Sequence, residues 1–162
     1  MANATLPETI TQVQGTTAVL QLSVPASQGI GSLPLSDIAF YPYGLANQPV
    51  SVVPSTEVWR IEDLGINSTI TPDIVVGLVV NGIQQPLAVD LNSAVFTNSG
   101  RLNPVSPYID IPANSTFNFT AYLEQANGST AQTINVLVKM TRIPLSVYLM
   151  RSNATAGHLF TL

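Results

Sequence analysis

The chain contains no cysteine and a single histidine, His158. Without thiols there is no disulfide scaffold, no cysteine nucleophile and no thiolate zinc site. One imidazole leaves no multi-histidine metal site. His158 could serve a Ser-His-carboxylate triad only beside an activated serine, and no Gly-x-Ser-x-Gly elbow occurs. Charge is scarce too. Asp, Glu, Lys and Arg make up 9% of the residues, against about 25% in an average soluble domain. The four arginines and one lysine are scattered. A nucleic-acid partner is therefore not expected, because phosphate binding needs clustered cations. The longest apolar run, Ile74 to Val80, falls far short of the roughly 20 residues a membrane-spanning helix needs. Residues 1–8, Met-Ala-Asn-Ala-Thr-Leu-Pro-Glu, have neither the basic nor the apolar region of a signal peptide. Helical periodicity is missing as well, since no window of a dozen residues repeats apolar positions at three- and four-residue spacing.

What remains is a chain able to bury a core. Its 162 residues suit one domain, and 46% of them are apolar. The polar remainder is mostly Ser, Thr, Asn and Gln, which makes the surface largely uncharged. Twelve prolines and ten glycines punctuate the sequence, and short β-branched and aromatic runs of period two lie between them. Four runs have one apolar and one mainly polar face: 17–24, 57–64, 116–124 and 133–141. Ile74 to Val80 is apolar on both faces and runs into Asn81-Gly82, a strong hairpin signal, returning as 83–89. Weaker strands are expected at 38–41, 50–53, 108–111, 145–149 and 158–161, with long loops at 25–35 and 98–107. The sum is eight to ten strands, an all-β antiparallel sandwich over 13–162 preceded by an extended arm at 1–12.

Few constellations could carry chemistry. Glu62, Asp63 and Asp73 are the closest carboxylates, and they could meet across a loop to hold a hard cation, although no calcium-loop spacing is present. A glycosidase pair could be assembled from distant strands. The plainer reading is that these carboxylates cap turns and keep the surface soluble. No catalytic residue, cofactor or metal is assigned. Trp59, Phe117 and Phe119 could form a sugar platform, but alternation puts each on the apolar face of its strand, which assigns them to the core. Asn-x-Ser/Thr triplets occur at Asn3, Asn67, Asn114, Asn118, Asn127 and Asn153. The 12 Asn and 30 Ser plus Thr in the chain predict about two such triplets by chance. All six are candidate glycosylation sites, and turn chemistry alone also enriches these residues.

Three segments together resemble a known family. They are Pro54-Ser-Thr-Glu-Val-Trp-Arg-Ile-Glu-Asp-Leu, Val79-Val-Asn-Gly and Ile111-Pro-Ala-Asn-Ser-Thr-Phe-Asn-Phe. Over roughly residues 50–125 the chain resembles single-jelly-roll capsid and vertex proteins of membrane-containing icosahedral viruses of thermophilic archaea and bacteria. The resemblance implies a single jelly roll of about eight strands. It also implies assembly into pentamers or pseudo-hexamers with other capsid proteins around an internal membrane. It carries no catalytic residues.

The leading expectation is therefore a structural virion protein, a major capsid or penton subunit made in the host cytoplasm. A virion protein works outside the cell without an export signal. The two-faced strand supplies a candidate interface at Val75 and Val79, because a sandwich buries only one face of a strand unless loops cover the other. Loops 25–35 and 98–107 are the candidate covers. A second expectation is a carbohydrate-binding or adhesive module on a cell or virion surface, using Tyr41, Tyr43 or Tyr108. A third is a carboxylate-based hydrolase.

Overall fold

In the computed structural model, residues 9–66, 73–91 and 103–151 are described. Ten strand segments form two antiparallel sheets packed face to face. They are β1 (Gln14–Val24), β2 (Gly31–Ser32), β3 (Ile38–Tyr41), β4 (Glu57–Gly65), β5 (Ile74–Val80), β6 (Ile83–Gln84), β7 (Val89–Asp90), β8 (Asn103–Ile111), β9 (Phe117–Leu123) and β10 (Gln132–Pro144). One sheet, A, has the order β3-β1-β10-β4-β8. The other, B, has β2-β9-β5-β6, with β7 also on β5.

The pairing is nested. β1 pairs with β10, β2 with β9, β4 with β8, and β5 with β6 and β7. First meets last and so on inward, with β4–β10 and β5–β9 joining the ribbons into sheets. This is a single jelly roll, with β3 added at the edge beside β1.

Alternation explains the core. Leu20 and Leu22 of β1, Val136 and Val138 of β10, Trp59 and Ile61 of β4, and Phe117 and Phe119 of β9 all point between the sheets and are buried. Phe40 touches three of the aromatic rings, at 5.0 Å to Phe119, 5.6 Å to Phe117 and 6.3 Å to Trp59. On β4 a register shift between Ile61 and Asp63 marks a bulge. It leaves Glu62 and Asp63 half-buried while Leu64, in the next position, reaches the core.

Several expectations need correction. Residues 145–149 are not a strand but part of a helix, α1 (145–151). Pro144 ends β10, and the N–H of Leu145 turns to the carbonyl of Thr56 at 2.8 Å. Residues 50–53, bracketed by Pro49 and Pro54, make a single bridge, Val52 with Thr116, instead of a strand. The expected loop 98–107 gives way to β8 from Asn103 onward. Pro104 and Pro107 are tolerated there because β8 is an edge strand. The expected strand 83–89 is broken by Pro86 into β6 and β7. Loop 25–35 carries β2 and the start of a 3-10 turn, Leu35–Asp37. Within the expected arm, Ile10 is buried against the domain. Residues 1–8 and the expected strand 158–161, with His158, lie outside the described residues.

Candidate functional site

The candidate site is the outward face of sheet B. Strict alternation sends Ile74, Val76, Leu78 and Val80 inward and Val75, Gly77 and Val79 outward. β9 contributes Asn118, Thr120 and Tyr122 beside them, since Val79 pairs with Asn118, Gly77 with Thr120 and Val75 with Tyr122. On the other flank, Val79 pairs with Gln84 and Val75 with Asp90. The hairpin at one end is well made. Asn81 and Gly82 both have positive φ, 49° and 78°, as a type I′ turn requires. The Asn81 side chain accepts from the Thr116 N–H at 3.0 Å and donates to Ser115 Oγ at 3.1 Å.

Val75 and Val79 are half-buried. Between the two, the chain makes an excursion from β6 to β7. Gln84 Nε2 donates to the Leu78 carbonyl at 3.2 Å, and the Gln85 N–H donates to the same carbonyl at 2.8 Å. This brings the excursion over Gly77, where a Cβ would lie 2.6 Å from Thr120 Oγ1 and 3.1 Å from Gln84 Nε2. Glycine is required there by close approach. Tyr122 stays 46% exposed beside Val75.

Charge divides between the sheets. Among the described residues, Arg60, Lys139, Arg142 and Arg151 all belong to β4, β10 or α1. Sheet B carries Asp90 on β7 and is flanked by Asp73 and Glu124, whose backbones bond at 2.9 Å just beyond β5 and β9. The other described strand residues of its outward face are neutral. On the outer side of sheet A, Arg60 makes a two-pronged pair with Asp110, at 2.7 and 3.0 Å. The bond to Asp110 raises the Arg60 pKa. The same guanidinium lies 3.7 Å from the centre of the Tyr108 ring. Tyr148 of α1 donates to Asp110 at 3.3 Å. Burial, followed by the Asp110 charge, raises its phenol pKa.

The sequence-predicted carboxylates are separated. Glu62 accepts from Thr141 Oγ1 at 3.1 Å, and Asp63 lies 3.5 Å from the Lys139 ammonium. Asp73 stands just before β5, in the other sheet. Among the described residues no group of three His, Asp or Glu could hold a metal ion. Tyr41 and Tyr43 are half-buried, whereas Tyr108 is 52% exposed.

The candidate glycosylation sites divide as well. Asn114 and Asn118 are exposed, Asn114 in a turn with φ of 61° and Asn118 on the outward face of β9. Asn127, by contrast, is buried. Its Nδ2 donates to the carbonyls of Pro25 at 2.7 Å and Thr130 at 3.0 Å, and its Oδ1 accepts from Gln132 at 2.6 Å. A glycan on Nδ2 would break that latch. Asn3, Asn67 and Asn153 lie outside the described residues.

Sequence reasoning missed one group entirely. Glu57 and Arg142 form a buried ion pair, with Arg142 Nε donating to Glu57 Oε2 at 2.8 Å. Trp59 Nε1 donates to the same oxygen at 2.7 Å. Tyr43 closes the group, with its ring 5.0 Å from the Arg142 guanidinium. Burial works against the Arg142 charge, but the bond to Glu57 and its field outweigh it and the pKa rises. Burial also raises the Tyr43 pKa, with Arg142 opposing and Glu57 adding. The available signal was parity: 142 continues the inward series Ile134, Val136, Val138, Met140, and 57 shares the face of Trp59.

No protein-family model matches the chain, and a comparison with curated proteins finds no match.

Proposed function

We propose that this protein is a structural subunit of a virion shell, a major capsid or penton protein whose work is self-assembly. The observation that carries the reading is the sparsely charged outward face of sheet B, whose described strands bear one charged side chain, Asp90. Val75 and Val79 stand there half-buried, with exposed Tyr122 beside them. A neighbouring copy seated over Val79 and Tyr122 completes their burial, and at the other end it must leave Asp90, the register partner of Val75, in water or pair it. Closed rings of five or six copies repeat one such contact by symmetry. The nested jelly-roll pairing and the sequence resemblance support the same reading. Contact with an internal viral membrane belongs to the resemblance. Among the described residues no helix is long and apolar enough to cross a membrane.

Electron microscopy of the concentrated protein tests the reading. It predicts rings or sheets of subunits, and uniformly isolated particles of about 17 kDa would contradict it.

One observation favours a second reading, a carbohydrate-binding or adhesive module. Tyr108 presents an exposed ring beside the Arg60–Asp110 pair, a pairing of stacking surface and polar groups that suits a sugar. A glycan array with no hits would dispose of it.

A further inference from the structure

β1 is longer than the strand beside it. β3 pairs only with Val19–Leu22, whereas β1 begins at Gln14. Parity shows which backbone groups this leaves open. The Leu145 N–H bonds to Thr56 O in line with the β10–β4 register, so odd-numbered residues of β10 turn their N–H and C=O to β4 and even-numbered ones to β1. Across the β1–β10 register even residues meet even residues. The odd residues of β1 therefore face the opposite way. The β3 side agrees: Val50 N–H takes Phe40 O on the far side of β3, leaving Ala39 and Tyr41 to bond Gln21 and Val19. Gly15 and Thr17 thus offer their N–H and C=O at a bare edge, and no described residue bonds to them.

Both residues are exposed, and a Cβ on Gly15 would meet nothing within 4 Å. Sheet edges are ordinarily blunted by charge, proline, brevity or a bulge. β8 has Pro104 and Pro107, β3 has four residues, and β2, β6 and β7 have two each. The edge of β1 has no such guard. No charged residue or proline occurs between Thr9 and Val24, and the β1–β10 register runs without a shift.

We propose that this edge pairs antiparallel with the same edge of a second copy, joining the two A sheets across a two-fold axis through Gly15. A second copy is the occupant because the edge complements itself. The axis sets Gly15 against Gly15 of the second copy, and each N–H meets the other's C=O. It sets Thr17 opposite Val13, a 39% exposed side chain that gains a β-branched neighbour. The chain bends at residues 11–12, so the pairing stops before Val19 of the second copy, where β3 begins to cover β1. No charge is desolvated. Residues 13–17 alone bury far less than the roughly 1,000 Å² of a stable interface. Free subunits therefore pair only in concentrated solution, on the order of millimolar. The pairing goes beyond the sheet B contact, is separate from it, and links subunits that it has already gathered.

Disulfide trapping tests the pairing, since the chain has no cysteine of its own. Opposed residues of a hydrogen-bonded antiparallel pair have Cα atoms about 5.5 Å apart, within disulfide range. Gly15→Cys in concentrated solution with oxidised glutathione should give a covalent dimer, whereas Thr133→Cys, exposed on β10, should not. In the unaltered chain, exchange of the Gly15 and Thr17 amide protons should slow about fivefold to tenfold from dilute to concentrated solution. Thr17→Pro removes a donor that has no bond among the described residues, and should abolish that slowing while circular dichroism shows a folded protein. Absence of the Gly15 cross-link overturns the pairing. So does exchange that is equally slow at every concentration, because the chain then covers its own edge. Trapping in a Val79→Lys background separates the two contacts. Rings in the parent without a cross-link strike the edge pairing and leave the self-assembly reading standing. A cross-link in a parent that forms no rings strikes that reading and leaves the pairing.

Discussion

Glu57 and Arg142, 85 residues apart in sequence, meet as a two-pronged ion pair inside the sandwich, beneath Trp59 and Tyr43. Both side chains are under one-tenth exposed. The pair ties the first residue of β4 to the far end of β10. Removing one partner strands a buried charge, which costs about 3–5 kcal/mol. Arg142→Met should lower stability by that amount in urea titrations. Replacing both residues, Arg142→Met with Glu57→Leu, should recover most of it. A double variant as unstable as the single one would show that the pair contributes more than mutual neutralisation.

The Asn127 latch gives a second prediction. Its side chain joins the turn after β1 to the turn before β10 through three hydrogen bonds. Asn127→Ala leaves buried backbone carbonyls without their donor, and should cost about 1–3 kcal/mol. Asn114→Gln and Asn118→Gln alter exposed side chains and should stay within about 0.5 kcal/mol. In a glycosylating host, peptide mapping should find no glycan at Asn127, whereas Asn114 and Asn118 are open to modification. A glycan at Asn127 in folded protein would contradict the described packing.

Alkaline pH probes the same interior. Tyr43 and Tyr148 have raised pKa values, first through burial. A raised native pKa means the unfolded chain loses its phenol proton more readily. The stability it contributes is intact below the ordinary value of about 10 and is lost as pH climbs through the raised one. Urea midpoints should therefore be flat up to about pH 9.5 and fall above it. Tyr43→Phe should blunt that fall. An equal fall in the variant would remove Tyr43 from the account.

Much of this fold was legible in the sequence because alternation with a buried face leaves little freedom. β3 and β5 have the bounds their patterns predict, and Asn81-Gly82 turns as its chemistry demands. The misreadings are physical too. Residues 145–149 alternate like a strand, yet Leu, Tyr and Met also suit a helix, and Pro144 decides between the two. Pro104 and Pro107 argue for a loop until the chain is seen to lie at a sheet edge. The Glu57–Arg142 pair was hidden because a charged residue in an inward series reads as the end of the strand. It remains inside only because its partner arrives from 85 residues away. The candidate interface was half legible. Two apolar faces on β5 pointed to Val75 and Val79, but the approach of Gln84 and Gln85 to Leu78 and Gly77 depends on the break at Pro86, which alternation alone does not position.

The central claim is that the outward face of sheet B holds copies together, and Val79→Lys tests it most directly. An ammonium group on this face is tolerated by a free subunit, because Val79 is only half-buried, but it is costly once a neighbour seals it from water. Mass photometry across a concentration series, paired with circular dichroism, should show pentamers or hexamers for the parent protein and folded monomers for Val79→Lys. A parent protein that is monomeric at every concentration, or a variant that assembles unchanged, would contradict the account.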